Sequence, residues 1–259
     1  MKKTFNSAIR QGSLIDRASG VKGTNTGCSF IESEKGKAIE SGTGANDRVS
    51  YGNLTDLNFG ETQDFTIEFY FKTTYSGGYK LIIGKRWEGT QSNVVGWDVE
   101  IHNSKLFVFL LAASTKSVYS VKSVDDGLWH HIIITYDRDG LMILYIDNIY
   151  DTSVSIAGSG TISSDNIFQI TKGNPDPSFF VSNVNIYDEI VTTGMRNDLY
   201  EEFLISSNLG YYTDDIEYLD LKPTHDNSPD IVAAYSMVPS GSIMLDISSN
   251  SNDGTIYGA

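Results

Sequence analysis

The sequence predicts an all-β protein: a sandwich of two antiparallel sheets, with one short helix near the end of the main domain. Three observations carry this. Phe65, Ile67, Phe69 and Phe71 alternate with Thr66, Glu68 and Tyr70, the period of two of a strand with one buried face. Ile132–Tyr136 and Met142–Ile146 are two β-branched and aromatic runs split by Asp137, Arg138, Asp139 and Gly140, the pattern of an antiparallel hairpin. Similar short runs recur between turn residues over most of the chain, as a two-sheet architecture requires.

Taken in order, residues 1–35 are polar and glycine-rich and are expected to form an arm of loops and a short edge strand, with "TFNSAIRQ" a poor strand. "GKAIESGTGANDRVSYGN" reads as two short strands around a turn. "YKLIIGKRW", "GWDVEIHN" and "KLFVFLLAAS" follow as strands. The last is apolar on both sides, so it is either buried on both or lines a surface with aromatics. "NIFQI" and "FFVSNVNIYDE" are further strands, and "GMRNDLYEEFLIS" is the helix, with Leu199, Phe203 and Leu204 as its apolar face. An acidic, tyrosine-rich linker with two prolines is expected over 206–230. One more apolar strand, "IVAAYSM", opens the last segment, 231–259.

The adjacent His130 and His131 suggest a metal site, but successive strand side chains point to opposite faces and cannot grip one ion together. They are expected to be structural, with Trp129 filling the core at the hairpin entrance. The net charge of -14 argues against nucleic acid and anionic membranes as partners. Cys28 is the only cysteine, so no intrachain disulfide forms. The start "MKKTFNSAIRQGS" has no apolar stretch of a secretory signal, and no run reaches membrane-spanning length. No nucleophile elbow, phosphate loop or His/Cys metal spacing is found.

"DFTIEFYFKT", "DGLWHHIIITYDRDGLMILYIDN" and "SNVNIYDEIVTTGMRNDLYEEF" resemble, in order and spacing, motifs of the laminin-G-like branch of the concanavalin A-like superfamily over roughly residues 36–205. The resemblance implies a jelly roll. It does not imply one function, since lectins, adhesion modules, glycosidases and phage virion proteins share the fold.

Three kinds of site follow from it. Glucanases of the superfamily carry a Glu-x-Asp-x-Glu strand; here "GWDVE" retains Asp98 and Glu100, expected on a solvated polar face, but has Gly96 at the nucleophile position, so no covalent route exists. Lectin activity would need exposed aromatics, for which Trp87, Trp97, Tyr75 and Tyr79 are the candidates, unless they are rim or core residues. Calcium is the candidate cofactor, with Asp246, Asn250, Asn252 and Asp253 as oxygen donors, unless that segment is a run of Asx turns.

The segment from Gly241 to the end echoes the one from Gly12 to Cys28, and is expected to pack on a jelly roll in cis or in trans. The leading functional expectation is a non-enzymatic virion structural, decoration or attachment protein on capsid or tail. Its partners would be other virion proteins, a copy of itself, or a cell-surface glycan, with no membrane insertion. The alternative is a calcium-assisted, extracellular carbohydrate-binding module.

Overall fold

The computed structural model describes residues 3–10, 13–16, 18–86, 95–172 and 179–206, and the backbone of three short strands further on. The chain divides into two units, Met1–Asn208 and Leu209–Ala259. In the first, the strands are β1 (Lys3–Arg10), β2 (Ser13–Asp16), β3 (Thr24–Thr26), β4 (Ser29–Ser33), β5 (Gly36–Glu40), β6 (Arg48–Ser50), β7 (Phe65–Lys72) and β8 (Lys80–Arg86). They continue as β9 (Gly96–His102), β10 (Lys105–Leu111), β11 (Lys116–Ser123), β12 (Trp129–Tyr136), β13 (Leu141–Ile146), β14 (Ile149–Ser155), β15 (Gln169–Lys172) and β16 (Phe180–Tyr187), followed by helix α1 (Thr193–Ser206).

One sheet runs β14-β13-β12-β7-β16-β1-β2, with β5 also on β16 and β4 on β5; the other runs β11-β10-β9-β8-β15-β6-β3. These pairings are antiparallel. The fold is thus the two-sheet sandwich that the sequence pattern predicts and the jelly roll that the resemblance implies, with its helix after the last strand of this unit's sandwich.

Alternation sets the core. Phe65, Ile67, Phe69 and Phe71 from β7 meet Val99, Ile101, Leu106, Val108 and Leu110 from the second sheet. Phe65 stacks between Phe59 and Tyr136, each ring centroid 4.1 Å away. Trp97 also lies here, fully buried.

The N-terminal reading needs correction. "TFNSAIRQ" is not a loop: most of it forms β1, which pairs with β16 through Phe5↔Ile186 and Asn6↔Asn185, and with β2 through Ala8↔Ile15. A neighbouring strand supplies the hydrogen-bond ladder, and that outweighs the weak local pattern. The second unit has β17 (Tyr235–Ser236), β18 (Ile243–Asp246) and β19 (Gly254–Thr255), paired antiparallel in that order.

The outward side of the first sheet is covered by α1, which packs Leu199 with Ile133, Tyr187 and Val191. Phe203 lies against Tyr70 and His131, at ring distances of 5.0 and 5.5 Å, whereas Leu204 is exposed rather than part of the buried face. Under the helix sits a wholly buried carboxylate. Glu68 accepts hydrogen bonds from Tyr187 Oη (2.6 Å), Asn185 Nδ2 (2.9 Å) and His131 Nε2 (3.1 Å).

The two histidines diverge as strand geometry requires. His130 Nδ1 lies 2.8 Å from Asp147 Oδ2, and His130 Nε2 lies 3.1 Å from Asp126 Oδ1. Asp147 also accepts from the His131 backbone N–H and from Lys122 Nζ. Trp129, expected in the core, is only half-buried.

Burial alone would raise the Asp147 pKa, but hydrogen bonds from His130 and Lys122 hold it down at about 2. Burial would lower His130, yet its bond to Asp147 raises it above its ordinary value. The signs fix a window. The Asp147 contribution to stability is present above the ordinary carboxylate pKa and is lost as pH falls through about 2. The His130 contribution is present below the ordinary imidazole pKa and fades as pH rises through the raised folded value. Asp147→Asn is therefore expected to lower Tm by about 5 °C near pH 5. A pH series of thermal melts should show a smaller deficit near pH 9; an equal or larger one there would rule out the His130 linkage.

Candidate ligand-binding face

The second sheet turns its other side outward, and that side carries an unusual set of groups. β9 and β10 form a hairpin through Asn103 and Ser104, whose φ values of 49° and 69° are those of a two-residue primed turn. The turn sets the register: Phe107 stands opposite Glu100, and Phe109 opposite Asp98. Tyr119 of β11 stands opposite Phe107, and Gly84 of β8 opposite Asp98. With Leu106, Val108 and Leu110 inward, Phe107 and Phe109 must face out. β10 is thus the aromatic-lined strand of the two alternatives its composition allowed.

The rings form a continuous stripe. Tyr79 stacks on His102 at 3.7 Å and meets Phe107 edge-on at 5.5 Å. Phe107 stacks on Tyr119 at 4.5 Å and touches Phe109 at 5.7 Å. The phenols of Tyr79 and Tyr119 share a hydrogen bond of 2.6 Å, and Tyr119 reaches His102 Nδ1 at 3.2 Å. Tyr79 is 53% exposed and Tyr119 39% exposed.

The stripe ends in an ionic pit. The Arg86 guanidinium lies over Phe109, 4.8 Å from its centroid. Its Nε donates to Asp98 Oδ2, and its Nη2 donates to Glu100 Oε1 at 3.2 Å. Asp98 is buried, and burial pushes its pKa up to about 7 against the opposing pull of Arg86, with Glu100 adding to the rise. Burial likewise raises Glu100. The expectation that these acids are simply solvated is therefore overturned: one guanidinium holds both. Gly84 permits the close strand approach, since a Cβ there would meet the Asp98 Cβ at 2.6 Å. Gly96 has φ +143° and a Cβ on it would meet the Lys85 carbonyl at 2.0 Å, so a side chain at that position is excluded by the backbone itself.

Of the aromatics expected to form a sugar platform, the structure brings only Tyr79 to the stripe. Trp97 is a correction: it is fully buried and points into the core, because its neighbour Asp98 points out. Tyr75 is partly buried against the core. Trp87 lies outside the described residues. Of the calcium candidates, Asp246 ends β18, and Asn250, Asn252 and Asp253 lie outside the described residues. Among the described residues, no group of three or more His, Cys, Asp or Glu side chains is placed to hold a metal. No described helix is long and apolar enough to cross a membrane. The sequence marks Phe107 and Phe109 only as one side of a strand that can line a surface; His102, Tyr119 and Arg86 were not singled out from it. The signal was the "HNSK" turn, from which the facing pairs can be counted.

A family profile described as the concanavalin A-like lectin/glucanases superfamily matches residues 43–193. The chain belongs to this superfamily. No curated protein matches the chain at a significant level. Among solved structures, it is similar to the binding domain of Paraclostridial Mosquitocidal Protein 1, with 17% identity and a TM-score of 0.67 over 78% of this chain and 52% of that one. The binding domain of botulinum neurotoxin serotype G is similar at 23% identity, with a TM-score of 0.63 over 77% and 51%. A structure of botulinum neurotoxin type C, whose cell entry depends on interaction with two ganglioside molecules, matches at 17% identity and TM-score 0.60, over 78% and 51%. This superfamily member thus spans about half the length of the toxin domains it resembles. At these identities the likeness establishes the fold alone.

Proposed function

We propose that the chain is a non-enzymatic carbohydrate-binding module whose ligand lies along the outward face of the second sheet. The observation that carries this reading is the stripe of Tyr79, His102, Tyr119, Phe107 and Phe109 running into the Arg86–Asp98–Glu100 pit. Sugar rings stack their C–H faces on aromatic planes, and their hydroxyls pair with carboxylates and guanidinium groups. A face offering both side by side fits a glycan better than it fits a purely apolar partner. The neighbouring solved structures are binding domains, which supports a binding role by analogy of fold. A glycan array probed with the full chain tests the reading: Phe107→Ala and Tyr119→Ala should each erase signals seen with the parent. Signals that survive both changes would move the site elsewhere.

The non-enzymatic part rests on Asp98 and Glu100 sharing one guanidinium, and on a Gly96 position that admits no third carboxylate. Laminarin, agarose and lichenan are expected to yield no reducing sugar. Release that disappears in Asp98→Ala and Glu100→Ala would overturn this.

The virion setting belongs to the same proposal. An exposed ligand face suits attachment to a cell-surface glycan more than inert decoration. Detection of the chain on purified particles by immunogold labelling is the expected result; its absence from particles would leave the extracellular module.

A further inference from the structure

We propose that this face selects neutral sugar chains, whose hydroxyls donate to Asp98 and Glu100, and that it rejects anionic sugars. The inference rests on the reading of the aromatic stripe as a sugar platform and adds the ligand's charge class.

The deciding atom is Oδ1 of Asp98. The residue is 3% exposed, and its Oδ2 is held by Arg86. Its Oδ1 is buried and has no hydrogen-bond partner. An unmet carboxylate oxygen out of water is costly, and a donor brought by a ligand removes that cost. Asp98 stands opposite Phe109 in the strand register, and Glu100 opposite Phe107. A sugar ring stacked on either phenylalanine therefore carries its hydroxyls beside one of these carboxylates.

Charge then decides the class. The pit has two carboxylates and one guanidinium, with Nε and Nη2 of Arg86 already committed to them. A ligand carboxylate or sulfate entering it meets net negative charge at a poorly hydrated site, where repulsion is weakly screened. It also brings acceptors to an oxygen that needs a donor. A hydroxyl is neutral and donates. The lysines of the flanking strands stand elsewhere in the register: Lys80 of β8 opposite Ile101 and Lys105 of β10 opposite His102, while Lys85 donates to Asn53, Asn58 and Ser164.

The test is isothermal titration calorimetry on the full chain near pH 8, above the Asp98 pKa of about 7. Cellohexaose, laminarihexaose and xylohexaose are the neutral probes; sialyllactose and hexagalacturonic acid are the anionic ones. At least one neutral probe should bind and no anionic probe should. Phe107→Ala should weaken that binding about tenfold. Asp98→Asn should weaken it about ten- to a hundredfold, because the amide offers one acceptor where two stood. Should Asp98→Asn melt early, Glu100→Gln, on a partly exposed side chain, replaces it with the same expected direction.

The outcomes separate the two ideas. Anionic binding that Phe107→Ala removes would keep the platform and overturn the charge selection. Neutral binding that is indifferent to Asp98→Asn and Glu100→Gln would do the same. Binding of no probe, or binding indifferent to Phe107→Ala, would overturn both.

Discussion

Trp97→Ala is expected to destabilise the protein by about 3–5 kcal/mol and to lower Tm by about 10 °C or more. Among the described residues the indole is the largest fully buried side chain, and it lies beside Phe65 and Phe168, with ring centroids 6.2 and 6.0 Å away. Those partners belong to the first sheet and to the loop before β15, so the cavity left behind has no single flexible element that can collapse into it. Trp129→Ala is the internal control. Its half-buried ring, 6.5 Å from Phe180, should cost less than half as much. Chemical denaturation of both variants checks this, and equal losses would mean that Trp129 contributes to the core as the hairpin pattern suggests. A further contrast is in binding: Trp97→Ala, measured where it is still folded, should retain the proposed glycan binding, because the indole faces away from the stripe.

Glu68→Leu is expected to cost about 3–5 kcal/mol, despite the added apolar surface. The Glu68 carboxylate is fully buried between β7 and α1 and takes donors from three residues on two neighbouring strands. Leucine would leave the Tyr187 hydroxyl, the Asn185 amide and His131 Nε2 without this acceptor in a site closed to water. Glu68→Gln keeps one acceptor oxygen and should lose clearly less. The helix above should respond first, since His131 stacks on Tyr200 and Phe203 of α1 at 5.9 and 5.5 Å. Hydrogen exchange would then show α1 amides losing protection in Glu68→Leu before those of β9 and β10. If Glu68→Leu melts with the parent protein, the buried network is dispensable.

Much of the architecture was legible from local pattern. The alternation in β7 and the two runs of β12 and β13 announce their own period and bury the face that the period marks, whereas the helix after β16 buries Leu199 and Phe203 but exposes Leu204. The same alternation settles that His130 and His131 cannot share an ion. The hairpin turn at Asn103 and Ser104 even determines that Phe107 faces Glu100 and Phe109 faces Asp98, because a two-residue turn fixes register.

Other features were settled only by the assembled sheets. Local sequence says that Trp97 and Trp129 each lie on a strand, but not which side of that strand meets the other sheet; Trp97, left open between platform and core, lies in the core, and Trp129, expected in the core, is half-buried. β1 has little strand character of its own and exists because β16 and β2 offer it a ladder. The stripe joins residues from three strands and Tyr79 just before β8, so no local period reveals it. Arg86 becomes the shared partner of Asp98 and Glu100 only because β8 lies beside β9, and the rise of the Asp98 pKa follows from burial that this pairing creates. A strand's period is a property of neighbours along the chain, whereas burial, charge pairing and facing surfaces are properties of neighbours in space.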